Sequence, residues 1–380
     1  MRRSLVALFL VAACGGGTTA STTTLRPATT QAPTTTTQPQ TPRDRELQGL
    51  LDEWAADNDP VGIAAAVLYP DGDLWLGAAG LADREAGIPV LATDRFEVAS
   101  VTKIFMSALT LQLVEEGLVT LDEPIATWLP DFPEADRITV RNLLGHRAGV
   151  HDPSSQLVSD RFGPPDYEKV FTPAELLEAA AAGSPAFEPG SRHDYSNANY
   201  WVLAAVLEEA TGEGIGTLLE TRIFEPLGLE ETLLFDDSLA EVVIVNAYTD
   251  LDLDGDPDPM GTAPLPGLVT PAWTAGGIIS TPADLVRFLD ALFAGRVVDA
   301  ASLEEMLDTS GGGSGYALGI YNSNGRWGHD GGIPGFLSAL FHDERSGVTM
   351  AVLTNRFGPD APQADAFLGR LAALARQFAP

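Results

Sequence analysis

Lysine is almost absent from this chain of 380 residues: Lys103 and Lys169 stand beside twenty arginines. Cysteine is scarcer still, with Cys14 alone, so no disulfide can form within the chain. Basic residues number 22 against 53 acidic ones, a formal charge of −31. Binding a phosphate backbone needs a basic face, so nucleic acid is excluded as a partner. What the chain does have is apolar mass, 45% of residues, enough to bury a sizeable core as one large domain or two lobes.

The first residues, MRRSLVALFLVAACGGG, set Arg2 and Arg3 before an apolar run that starts at Leu5 and ends in small residues at Cys14. The run is too short to cross a bilayer and reads as a secretory signal over 1–13. Val11-Ala12-Ala13-Cys14 resembles the bacterial lipobox, whose cysteine is lipidated and becomes the mature N-terminus. A plain secretion signal with an incidental cysteine is the other reading. The expected location is the outer face of a bacterial cytoplasmic membrane, with lipid on Cys14 as the anchor. Residues 14–42 are mainly Thr, Pro and Gln, cannot bury enough surface to offset their ordering entropy, and predict a tether reaching roughly 30 Å.

The folded body is expected over 43–380. Leu47, Leu50, Leu51 and Trp54 share one helical stripe, and VGIAAAVLYPDGDLWLGAAG reads as two strands around a turn at Pro70–Asp73. Near the far end, GFLSALFHDERSGVTMAVLTNR is a second hairpin turning at Glu344–Gly347, followed by an amphipathic helix over Asp365–Phe378. Thr281-Pro282-Ala283-Asp284 is a helix start, with an N-cap threonine and proline in the first turn. This pattern predicts an α/β (α+β) fold: an antiparallel sheet formed from N- and C-terminal strands, flanked by terminal helices, with an inserted mostly helical lobe over roughly 115–270. A cleft between sheet and lobe is where a site would sit.

One of the two lysines lies in an apolar run, FEVASVTKIF, three residues after Ser100. Val101 to Leu118 reads as a helix apolar almost all round, hence central, with Ser100 at its N-terminus. Lys103 then projects from the same face as Ser100. A serine hydroxyl is a poor nucleophile until a base takes its proton, and a desolvated lysine at a helix N-terminus has a lowered pKa. The helix end also offers backbone N–H groups to a developing oxyanion. The bland alternative makes Ser100 an N-cap and lets Lys103 snorkel to the surface.

Two later stretches complete a pattern. FEPGSRHDYSNANYWVLAAVLEEATG places Tyr195-Ser196-Asn197 just before a long helix, and GRWGHDGGIPGF places His329-Asp330-Gly331 before the last hairpin. Ser100-x-x-Lys103, Tyr195-x-Asn197 and His329-x-Gly331, in that order, resemble the three motifs of the penicillin-recognising serine hydrolases. That family groups class C β-lactamases, D-alanyl-D-alanine carboxypeptidases and related esterases. The resemblance runs from about Arg43 to the C-terminus and includes LLGHRAGV at His146, FEPLGL at Pro226 and AGGIISTPADLVRFL at Thr281.

The resemblance implies a β-lactamase/transpeptidase-like fold; a monomer without cofactor or metal is expected. It makes Ser100 the acylated nucleophile, with Lys103 and Tyr195 as the catalytic partners between which the role of base stays open. It makes Asn197, His329, Asp330 and Gly331 substrate-binding, and the N–H groups of Ser100 and Gly332 the oxyanion hole. The chain departs from the family at three places. His329 stands where the β-lactamases carry lysine, Asp330 where threonine is frequent, and Arg147-Ala148 where a Thr-Ser pair is common. His329 could also be a packed histidine, and Asp330 either faces the pocket or points to solvent beside an arginine such as Arg326.

Two further features are weaker. DLDLDGDPD over 250–258 resembles the start of an EF-hand loop, but its twelfth position is Gly261 where a bidentate glutamate belongs, so a solvated acidic hairpin is the reading. His146 and His151 lack a third ligand for zinc. The function expected is an extracytoplasmic serine hydrolase acting through an acyl-serine on an ester, amide, D-alanyl peptide or lactam carbonyl. Neutral substrates are expected to be preferred over penicillins. A non-catalytic surface module that binds cell-wall peptide or a β-lactam is the alternative.

Overall fold

The computed structural model describes residues 41–159, 169–235, 242–250, 254–260, 264–310 and 315–379. The signal over 1–13, Cys14 and all but the last two residues of the expected tether lie outside the described residues. The body opens with the helix Pro42–Asn58. It begins inside the segment expected as tether because Thr41 and Asp44 form a reciprocal capping box with Pro42 at the first helical position.

Seven strands form the main sheet, and their order mixes the two ends of the chain. Across it run Ile88–Pro89, Leu74–Asp83, Gly62–Leu68, Val348–Thr354, Phe336–Asp343, Arg326–Ile333 and Tyr321–Asn322. The long neighbours are antiparallel, and Gly62–Leu68 pairs with Val348–Thr354 from Ile63 opposite Thr354 to Leu68 opposite Thr349. The two expected hairpins are therefore the centre of the sheet, and the second turns at 344–347 as read from the sequence.

Successive residues of the strand Gly62–Leu68 face opposite layers, as the period of two requires. Ile63, Ala65 and Val67 pack with Leu47, Leu51 and Trp54 of the first helix and with Phe367 and Leu371 of the last, Ala364–Ala375. The Trp54 and Phe367 rings lie 4.9 Å apart, tying the terminal helices together. Ala64 and Ala66 face the other way, into the larger core of the inserted lobe. Small residues there let the amphipathic helix Pro282–Phe293 lie close on the sheet; Thr281 caps it by accepting from the Asp284 N–H.

The lobe is mostly helical, and its axis is the helix Thr102–Glu115, with eleven of fourteen residues buried. Around it pack Ala198–Thr211, Ile215–Leu219 and Pro266–Gly276. The last of these is broken at Trp273 (φ 35°, ψ −124°). A fourteen-residue helix apolar on every side has no solvent face and must run through the middle of the fold.

Candidate active site

The chain reaches Ser100 through a tight reversal. A short strand, Phe96–Glu97, pairs with Ile278–Ser280, then Ala99 adopts φ 47° and a single 3₁₀ turn, Ala99–Val101, leads into the central helix. Left-handed backbone at a residue with a Cβ is strained and persists only where packing enforces it. Gly331 is part of that enforcement. A Cβ there would stand 2.5 Å from the Val98 carbonyl oxygen and 2.9 Å from the Ser100 nitrogen, so only glycine lets the third-motif strand lie against the serine turn. Ser338, on the neighbouring strand, donates to the same Val98 carbonyl at 2.7 Å. Ser100 caps no helix, because no side-chain cap bond is made at either helix start.

Lys103 is wholly buried. Its Nζ lies 3.0 Å from Ser100 Oγ, 2.9 Å from Asn197 Oδ1 and 2.7 Å from the Ala275 carbonyl oxygen. The last carbonyls of a helix have no partner within it, so the end of the broken helix Pro266–Gly276 supplies one to the lysine. Burial lowers the Lys103 pKa to about 7, against the opposing pull of the Asp152 and Asp330 carboxylates. As an ammonium, Lys103 donates to all three neighbours. As an amine, it keeps two N–H bonds to the two carbonyl-type oxygens and turns its lone pair to the serine hydroxyl. Both protonation states fit without rearrangement.

Tyr195 donates from its hydroxyl to Ser100 Oγ at 2.9 Å, and Lys103 Nζ stands 4.9 Å from the centre of its ring. One flank of the ring is open to solvent, with 41% of the residue exposed. The hydroxyl end is desolvated, which raises the phenol well above its ordinary pKa. The loop that carries Tyr195 and Asn197 is pinned at several points. Asn197 N–H donates to Asp152 Oδ2 at 2.6 Å, Ser154 N–H donates to Asp152 Oδ1 at 2.9 Å, and Asn197 Nδ2 donates to Ser154 Oγ at 3.1 Å. These bonds fix the Asn197 amide, with its oxygen toward Lys103. The buried His146 ring packs against Tyr195 at a tilt of 34°, with centroids 4.1 Å apart.

The third motif sits on the strand Arg326–Ile333. His329 is buried, and both ring nitrogens are engaged, one with the Asp330 carbonyl and one with the Tyr316 hydroxyl at 3.0 Å. Burial and the nearby Lys103 charge lower its pKa to about 4, so it is neutral at pH 7. The Asp330 side chain is exposed and accepts from the Tyr321 hydroxyl at 2.6 Å, whereas Arg326 bonds the Ser323 carbonyl. Its charge still reaches inward far enough to raise Lys103 and Tyr195.

Above these groups opens a cavity of about 340 Å³. Ser100, Asn197, Ser154 and Gly332 line it, with a wall of Leu268, Pro271, Ala272, Ile333, Pro334 and Phe357, and among the described residues no charged side chain borders it. The structure thus brings Ser100, Lys103, Tyr195, Asn197 and Gly332 to one place, with His329 packed behind them and Asp330 toward the surface. Asp152, Ser154, the Ala275 carbonyl and Tyr316 belong to the same centre and carry no signal in the three motifs. Elsewhere, the Asp250 carboxylate is occupied by the N–H groups of Asp254 and Gly255; residues 251–253 and Gly261 of that expected hairpin lie outside the described residues.

A serine, a lysine and a tyrosine converging on one hydroxyl beside a neutral cavity are suited to acyl transfer. Comparison with known proteins agrees. The beta-lactamase family model matches residues 23–375. Penicillin-binding protein 4 of Amycolatopsis lactamdurans is 31% identical over 317 residues, covering 77% of this chain and 80% of that protein. Esterase EstB of Burkholderia gladioli is 35% identical over 196 residues, 49% of this chain and 50% of its own length. The crystal structure of D-amino acid amidase from Ochrobactrum anthropi SV3 with L-phenylalanine amide has a TM-score of 0.76 and 29% identity, covering 89% of this chain and 99% of that one. The chain belongs to the beta-lactamase family and is a hydrolase of that family.

Proposed function

We propose that the protein is an exported serine hydrolase that forms an acyl-enzyme on Ser100, prefers uncharged esters and amides with an apolar acyl side, and is held at the membrane by lipid on Cys14. The observation that carries the catalytic part is the environment of Lys103, a buried amine with a pKa near 7 whose three neighbours are two carbonyl-type oxygens and the serine hydroxyl.

In this reading Lys103 is the base, which decides between it and Tyr195. The Ser100 proton passes to Nζ as Oγ bonds to the substrate carbonyl carbon. The N–H groups of Ser100 and Gly332 hold the oxyanion. When the bond to the leaving group breaks, that group takes the Tyr195 proton, and Tyr195 recovers one from the Lys103 ammonium. A phenol with a raised pKa is a reluctant phenolate, so it serves as the donor and not as the resting base. Water then repeats the sequence on the acyl-enzyme.

The preference for uncharged substrates rests on what surrounds the cavity. The third motif offers a neutral imidazole in place of a permanent cation, and Asp152 and Asp330 set a negative field around the site. A substrate carboxylate would meet repulsion of up to about 4 kcal/mol per close charge at an effective dielectric near 20.

Labelling with a fluorescent fluorophosphonate tests the chemistry: wild type should label and Ser100→Ala should not. Retained labelling in the variant would place the nucleophile elsewhere, and an unlabelled wild type that still retains β-lactam would mark a binding module. Cys14→Ser should move the protein from the membrane fraction to the medium.

A further inference from the structure

Behind the reacting groups lies a chain of hydrogen bonds in which the tautomers of both histidines follow from their backbone and amide partners. His146 Nδ1 accepts from the Ser196 N–H at 3.2 Å and from Asn199 Nδ2 at 3.2 Å, so this nitrogen carries no proton. The proton of the neutral ring is then on Nε2, which points at the Tyr316 oxygen at 3.2 Å. His329 is the reverse case. Its Nδ1 faces the Asp330 carbonyl, an acceptor only, so Nδ1 carries the proton and Nε2 is the lone pair, 3.0 Å from the Tyr316 oxygen. The Tyr316 proton therefore goes to His329. The Tyr200 oxygen is the other acceptor within reach of that proton, since Tyr200 sends its own to the Leu144 carbonyl, but an imidazole nitrogen is the stronger acceptor of the two. Among the described residues His329 Nε2 has no other donor.

The direction runs one way: His146 N–H to Tyr316, Tyr316 O–H to His329, His329 N–H to the Asp330 carbonyl. The two histidines are opposite tautomers joined through one phenol. They also sit on different elements. His146 packs against the Tyr195 ring and accepts from the N–H of Ser196, the residue between Tyr195 and Asn197. His329 is part of the strand that carries Gly331 and Gly332. We infer that Tyr316 is a positioning residue for the hydrolase reaction: its hydroxyl ties the Tyr195 loop to the third-motif strand and keeps His329 as the neutral Nδ1–H tautomer. The inference rests on Ser100 and Tyr195 being the reacting pair.

A proton on His329 Nε2 would turn that nitrogen toward the phenol as a second donor and reverse the chain. Against that proton stand burial and the Lys103 ammonium; for it stands Asp330 on the same strand, while the phenols of Tyr195, Tyr316 and Tyr321 face the ring without charge. His146 faces Lys103, His193 and His329, all of which oppose its protonation. Removing the Tyr316 hydroxyl removes the bond that favours the neutral His329.

The test is Tyr316→Phe, which keeps the ring. On a neutral aryl ester, kcat should fall roughly tenfold or more from lost alignment, with KM little changed. The acid limb of the kcat/KM profile should gain a second ionisation as His329 becomes protonatable. Unchanged kcat and an unchanged profile, or a rate loss explained by a lower Tm alone, would overturn the inference. ¹⁵N spectra of the five histidines in Ser100→Ala read the tautomers without any turnover, which separates this idea from the catalytic reading. His146 as Nε2–H and His329 as Nδ1–H are expected, and either one in the opposite form would sink the relay.

Discussion

Two ionisable side chains are buried on opposite sides of the Ser100 turn, and they have been treated in opposite ways. Lys103, just inside the central helix, has three polar partners and an open cavity in front of it. Glu97, on the short strand leading to the turn, is also buried, but among the described residues no hydrogen bond reaches its carboxyl, one oxygen of which is buried without a partner. Burial alone raises its pKa to about 8. Desolvation is the dominant cause in both cases, yet only one group can use the result. In the proposed reaction a lowered lysine next to a hydroxyl serves as the base. A raised carboxyl with nothing beside it is a neutral filler that costs stability once it must ionise. A perturbed pKa marks a reactive centre only where geometry supplies something to react with.

The sharpest way to break that contrast is Lys103→Met. Acylation of a fluorophosphonate or aryl ester should fall by about a thousandfold or more, while the melting temperature holds or rises because a buried amine has been replaced by an apolar chain. Near-wild-type acylation would reduce Lys103 to the status of Glu97. The two residues also pull stability in opposite directions with pH. The unfolded Glu97 ionises from about pH 4.5 while the folded one keeps its proton to about 8, so its contribution declines across that window. Unfolded Lys103 stays charged to about 10.5 while the folded one loses its proton near 7, so its contribution rises between those values. Glu97→Gln should flatten the first trend, worth on the order of a few kcal/mol, and leave kcat intact; denaturant melts from pH 4 to 9 would show it. An unaltered pH slope would mean that Glu97 is solvated.

Smaller effects refine the lysine side. Asp152 raises the Lys103 pKa through its charge while holding two backbone N–H groups. In Asp152→Asn the acid limb of kcat/KM should move to lower pH, with some loss of rate because one N–H loses its acceptor. A limb that moves up would contradict the assignment of Lys103 as the base. Smallest of all is Asp330→Thr. It should raise kcat/KM for a cephalosporin relative to a neutral aryl ester by severalfold, since the Asp330 charge is removed from the field around the site and the Asp152 charge is kept. A constant ratio would show that the carboxylate, held on Tyr321, plays no part in choosing substrates.

The residues legible in the sequence were those with a short-range rule. Ser100 and Lys103 are one helical turn apart, Tyr195 and Asn197 flank a helix start, and the two glycines of the third motif permit a close strand. The hairpins and terminal helices were legible because periods of two and 3.6 survive in a chain with two buried layers. The actual helix begins at Thr102 and not at Val101, since the strained Ala99 adds a 3₁₀ turn that no propensity signals. The Ala275 carbonyl could not be read at all, because a backbone oxygen has no residue type. Asp152, Ser154 and Tyr316 lie in loops, and their roles come from partners remote in sequence. The expectation for Asp330 offered two placements; the carboxylate faces solvent, as in the second, but it bonds Tyr321 and not Arg326, and its charge still raises the lysine.

The centre of the sheet joins a strand that follows the first helix to one that precedes the last, with Ile63 opposite Thr354. Almost the whole body must exist before that ladder can form, which makes the fold rich in distant contacts and slow to assemble. Gly331 and Gly332 come from the late half of the same sheet, and without them the Ser100 turn has no strand against it. A nascent chain lacking its last sixty residues therefore carries the serine and the lysine but no cavity around them. On the proposed mechanism such a chain should not label with a fluorophosphonate, and clipping the helix Ala364–Ala375 from the folded protein should abolish labelling as well.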